Sequence, residues 1–156
     1  MNTVRTQKGL ATVEFAIVAA VLFILIFAVI EVGRAFFVAS ALDEATRRGA
    51  RMAAVCPVGD PAIAQTAAFD NTLVPDLDAS DFSVEYLDEN GGPVGNPTDP
   101  NGFRMIRYVR VSLVGYQHQM FIPFATALAQ FFMPQFIATL PRESLGIPRT
   151  GAITPC

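Results

Sequence analysis

The chain has 156 residues, 52% of them hydrophobic, with a formal net charge of -3. That length leaves room for one domain beyond a membrane segment. Its 14 acidic side chains outnumber its 11 basic ones, which form no basic cluster; nucleic-acid binding, a task that needs phosphate-neutralising Lys and Arg, is thereby set aside.

Residues 1–9 form a short basic leader with Arg5 and Lys8, and Gly9 stands at its junction with an apolar run. Residues 10–30 carry a single charge, Glu14. A run of about 20 apolar residues spans a hydrocarbon core of about 30 Å. A secretory signal ends its apolar stretch with a small-residue cleavage site. Here the small residue comes first, so a cut between Gly9 and Leu10 leaves the hydrophobic segment on the product and makes Glu14 its fifth residue. Loss of Arg5 and Lys8 from 11 basic side chains leaves nine against 14 acidic ones, a net of -5. An acidic group in such a run costs free energy and marks a functional site. The plainer alternative is an uncleaved signal anchor whose Glu14 snorkels to the headgroups.

Arg5 and Lys8 before the span keep the amino-terminal end in the cytoplasm and send the remainder outward. In that compartment cysteines stay oxidised. Cys56 and Cys156 are the only two, and an intramolecular disulfide between them is expected. Two buried free thiols, or a bridge between subunits through Cys156, are the alternatives.

The helical pattern continues past the span. Residues 31–55 hold no Pro, and Asp43 with Arg47 and Glu44 with Arg48 are acidic-before-basic pairs four residues apart. Val38, Leu42, Ala45, Gly49 and Met52 recur at helical spacing as a narrow stripe of small and apolar residues. Cys56-Pro57 ends the pattern. A helix over residues 10–55 measures roughly 69 Å, about half more than a membrane needs, so its second half belongs to a head formed by residues 56–156.

Within that head, Asp60-Pro61 starts a short helix over residues 62–73. Phe82, Val84 and Tyr86 alternate with polar residues as a strand does. Residues 88–102 are dense in Asn, Gly and Pro and read as a long exposed connection. The clearest strand is residues 105–116, with Arg107, Val109, Val111 and Leu113 on one face. Residues 124–132 read as a packed helix, and residues 136–143 as a last strand that Pro141 confines to an edge. The expected fold class is α+β, a long amino-terminal helix carrying a small antiparallel sheet.

Catalytic chemistry is missing from the sequence. His118 is the single histidine, and no nucleophile elbow, phosphate loop or Cys-x-x-Cys spacing occurs. No cofactor and no metal are expected. Asp88, Glu89, Asn90, Asp99 and Asn101 offer oxygen ligands to a hard cation, but without regular loop spacing they read as a solvated acidic loop.

Gly9-Leu10 with Glu14 resembles the prepilin cleavage motif of type IV pilins. Glu14-Phe15, then Ile30-Glu31-Val32-Gly33-Arg34, then Gly49-Ala50-Arg51-Met52-Ala53 is closer to the TadE-like pseudopilins of the tight-adherence (Flp) pilus. Ala19-Ala20 stands where many relatives carry a Pro in mid-run. The resemblance implies a bacterial inner-membrane precursor, single-pass, with its head on the periplasmic side. It further implies a prepilin peptidase that cuts after Gly9, and a minor pilin that joins other pilin and pseudopilin subunits through Glu14 and Phe15. Its partners are then that peptidase, those subunits, the assembly machinery and the lipid bilayer. A pseudopilin of type II secretion or of another type IV pilus, and an unrelated single-pass envelope protein with a periplasmic binding domain that keeps residues 1–9, are the competing readings.

Overall fold

In the computed structural model, which describes residues 8–120, 134–147 and 155–156, helix α1 runs without a break from Lys8 to Val55. Its 48 residues extend roughly 72 Å at about 1.5 Å per residue. No Pro interrupts it, and its Leu, Ala and Phe content favours or tolerates helix. Of the elements that follow, α2 (Pro61–Ala67) and two strands of a small sheet pack on its second half.

After Cys56 the chain turns back through α2 (Pro61–Ala67), where the Asp60 carboxylate accepts from the Ala62 amide at 2.9 Å and Pro61 opens the first turn. The sequence-based helix over 62–73 is shorter in the structure. Phe69, Asp70 and Asn71 all have positive φ, which the α-helix does not allow, so the chain leaves α2 through a 3-10 turn. A second turn, Ala79–Asp81, leads into β1 (Phe82–Leu87). A short helix α3 (Pro100–Met105), capped by Asp99, precedes β2 (Tyr108–Leu113), and β3 (Ile137–Pro141) completes the fold. The connection read as a loop therefore holds a helix, started by the Asp99-Pro100 pair. Residues 124–132, expected to be helical, lie outside the described residues.

The three strands form one antiparallel sheet in the order β1-β2-β3. Val84 faces Val111, Tyr86 faces Val109, and Val111 in turn faces Ala138 on β3. The class is α+β, as the sequence indicates. β2 is central, which explains its complete burial at Val109 and Val111; β3, with Pro141 at its end, is an edge.

The head docks on the small-residue stripe of α1. Val38, Leu42, Ala45, Gly49, Ala50 and Ala53 are buried beneath α2, β2 and β3. Gly49 is the point of closest approach. A Cβ there would stand 2.9 Å from the Ala67 Cβ on α2 and 3.2 Å from the Val111 Cγ1 on β2, too near for a side chain unless α2 or the sheet shifts. On the opposite face the charges behave as their spacing foretold for one pair: Arg47 and Asp43 meet at 3.0 Å, an exposed contact worth about 0.3–0.5 kcal/mol. Arg48 lies 5.5 Å over the Phe69 ring.

The chain after β3 closes the top of α1. The amides of Glu143 and Leu145 donate to the Ala54 carbonyl, and that of Gly146 donates to Val55. These bonds satisfy carbonyls that the helix end leaves without intrahelical partners. Gly146 has φ of 78° and abuts Pro57, a conformation and a space that only Gly suits.

Candidate functional site

Three places along α1 and at its end matter, two of them carrying residues singled out by the sequence. At the amino-terminal end, Gly9 and Leu10 lie in the first helical turn, and that turn contains no acidic residue. A basic residue such as Lys8 at a helix amino terminus opposes the helix dipole, so this turn lacks the charge that would favour it. Leu10, Glu14 and Phe15 are all exposed, the last by 74%. Leu10 and Glu14 are four residues apart on one helix face, about 6 Å along the axis. The most apolar 18-residue window of α1 has none of its residues buried in the fold. Length and composition make this helix able to cross a membrane.

A second cluster, not foreseen as a site, lies just beyond the apolar run. Glu31 is 4% exposed. Arg34 meets its Oε1 at 2.8 Å and also donates to the backbone carbonyl of Gln119. Residues 114–120, which follow β2, thus run down beside the helix toward its membrane end. His118 sits here half-buried, and its pKa is lowered first by burial and then by the Arg34 charge, against the opposing effect of Glu31. A neutral imidazole adds no second cation beside the Glu31–Arg34 pair. The sequence did hold a signal: Glu31 and Ala35 extend the buried stripe one heptad below Val38, so a charge stood inside a packing face.

The third place is the far end of α1. Cys56 is fully buried and joined to Cys156 in a disulfide with Cα atoms 5.7 Å apart, at a sequence separation of 100. The Cys156 amide also donates to the Asp60 carboxylate at 3.1 Å, the same side chain that caps α2. Nearby, the Tyr86 hydroxyl accepts from the Gly59 amide at 3.2 Å. Burial raises the Tyr86 pKa, which the Gly59 bond partly offsets.

The oxygen-rich loop is otherwise employed. Asp88 Oδ1 accepts from the amides of Asn90 and Gly92, both at 2.9 Å, and Asp99 accepts from Asn101 at the start of α3. These are turn and capping bonds. Among the described residues no three His, Cys, Asp or Glu side chains come together as a metal site.

Comparison with protein families adds an observation on α1. The family described as TadE-like protein matches residues 9–51. The amino-terminal segment of this chain is TadE-like. The match begins at the Gly9 junction and ends two residues beyond Gly49, so it takes in the span, the Glu31–Arg34 pair and most of the stripe on which the head packs. The sheet and its connections lie outside it. No curated protein and no solved structure matches the chain. Residues 9–51 are thus similar to TadE-like proteins, and the helix that carries them is long and apolar enough to cross a membrane.

Proposed function

We propose that this chain is the precursor of a TadE-like minor pilin, cut between Gly9 and Leu10 by a prepilin peptidase on the cytoplasmic face of the inner membrane. The carrying observation is the coincidence of the family match, which starts at Gly9, with the start of an apolar helix whose lipid-length half is exposed. On this reading residues 1–9 are the leader. The first half of α1 spans the membrane, and the head, residues 56–156 with the second half of α1, lies on the periplasmic side, since Arg5 and Lys8 favour a cytoplasmic amino terminus.

Cleavage frees an amino group on Leu10 at the positive end of the helix dipole, in low dielectric. A Glu14 carboxylate, from the same or a neighbouring subunit, neutralises it. Either charge buried alone costs several kcal/mol, so subunits associate in the axial register that pairs them. Exposed Phe15, Leu22, Phe23 and Phe27 supply the packing once helices leave lipid for a bundle. The role is structural, and leader removal is the peptidase's step rather than the chain's own.

Gly9→Val tests the processing step. A branched side chain beside the scissile carbonyl blocks access of the peptidase to the backbone, so the variant accumulates at precursor size in its native host. Normal shortening of the Gly9→Val protein contradicts the assignment.

A further inference from the structure

We infer that the head of this protein rests on the bilayer itself, with the lipid boundary at Phe37 on α1 and at Met120 on the descending segment, beyond the end of the apolar run at Ile30. The inference rests on α1 being a membrane span, and its test separates the two claims.

The face of α1 turned away from the head stays apolar past residue 30. Ile26, Ile30, Gly33 and Phe37 follow one another at three- and four-residue steps. Ile30 and Phe37 are 58% and 55% exposed, and nothing lies within 4 Å of a Cβ placed on Gly33. The same face becomes polar at Ser40 and charged at Glu44 and Arg47. From Leu10 to Phe37 is roughly 40 Å of helix axis. That exceeds a hydrocarbon core of about 30 Å and matches a bilayer with its headgroup layers, about 40–45 Å. An aromatic ring at its upper limit suits the interfacial zone.

Besides Glu14 near the amino-terminal end, this length holds two charges, Glu31 and Arg34, which pair with each other, Glu31 buried and Arg34 partly covered. Gly49 touches Val111 on β2, and Arg34 holds the carbonyl of Gln119. The helix descends roughly 22 Å between those contacts, and the chain from Val111 to Gln119 reaches about 26 Å when extended. Residues 114–120 therefore descend nearly straight along α1 and bring Met120 beside the pair. The sequence that follows, residues 121–133, has no charged side chain and includes Phe121, Phe124, Phe131 and Phe132. An exposed apolar face that runs from the span to Phe37, with Gln119 held beside the Glu31–Arg34 pair, favours lipid as the occupant of this face. The interface is continuous with the span, and it shields a paired charge rather than exposing it.

The chain has no Trp, so single-Trp variants of the full-length protein report position directly. Phe37→Trp and Met120→Trp are the probes, Phe23→Trp marks the span, and Tyr108→Trp marks the far end of β2. Each is reconstituted at low density in phosphatidylcholine–phosphatidylglycerol vesicles with and without brominated acyl chains. Phe23→Trp and Phe37→Trp are expected to lose most of their emission to bromine, Met120→Trp to lose a substantial part, and Tyr108→Trp to lose none. If either Phe37→Trp or Met120→Trp behaves like Tyr108→Trp while Phe23→Trp is quenched, the head stands clear of lipid and the inference fails with the span intact. Blue-shifted emission at Phe37→Trp that bromine leaves unchanged means another helix covers this face, and also overturns it. An unquenched Phe23→Trp removes the span and the inference together.

Discussion

Cys56→Ser is expected to destabilise the head by about 2–4 kcal/mol, the usual range for a disulfide. The bridge closes a loop of 100 residues, for which chain entropy alone gives about 4.7 kcal/mol before native-state strain and unfolded-state structure reduce it. Against a typical total stability of 5–15 kcal/mol, the loss is a large fraction. The location adds to the effect. Cys56 is fully buried at the end of α1, and the Cys156 amide reaches the Asp60 cap of α2, so the bridge joins the helix, α2 and the segment after β3 at one point. Denaturant unfolding of the purified protein in detergent gives the change in midpoint. A Cys56→Ser, Cys156→Ser double variant guards against new thiol chemistry. An unchanged midpoint in both, or two free thiols in non-reducing peptide maps of protein from the envelope, contradicts the bridge as a stabilising element.

Glu14→Ala carries the largest functional effect. The substitution leaves Gly9 and Leu10 in place, so leader removal continues. What it removes is the counter-charge for the new amino group on Leu10. Leaving one member of a buried ion pair alone costs about 3–5 kcal/mol, which is a fall of at least roughly a hundredfold in incorporation. Cells carrying the variant are expected to hold shortened, membrane-bound protein and to lack it in sheared pilus fractions. Wild-type amounts in those fractions contradict the register mechanism, whatever the state of the leader.

The amino-terminal third was legible because its physics is local. A charge-poor run of lipid length, a helix without Pro and a small-residue stripe at three- and four-residue spacing all write themselves into consecutive residues. Val38, Leu42, Ala45 and Gly49 of that stripe are buried, whereas Met52 is only partly so and Ala53 beside it is buried instead. The three strands were legible too, because alternation in Phe82, Val84 and Tyr86 and in Val109 and Val111 matches a half-buried sheet. Their ends were not. The clearest strand, read over 105–116, is paired only from Tyr108 to Leu113, since α3 takes up one end and the descent along α1 takes up the other. The exit from α2 depends on three consecutive positive-φ residues, which Asp70 and Asn71 tolerate but Phe69 does not advertise. Least visible was the Glu31–Arg34 cluster. Its partner, the Gln119 carbonyl, is 85 residues away in sequence, and a backbone acceptor leaves no mark in the side-chain pattern.

The central claim is that a peptidase removes the leader and leaves the apolar helix at the front of the mature subunit. Intact-mass measurement of the protein from the membranes of its native host tests it in one step. The account predicts a species that begins at Leu10 and lacks residues 1–9, with the mass of an intact disulfide. A species that retains Arg5, Lys8 and Gly9 contradicts it and returns α1 to the role of a plain signal anchor.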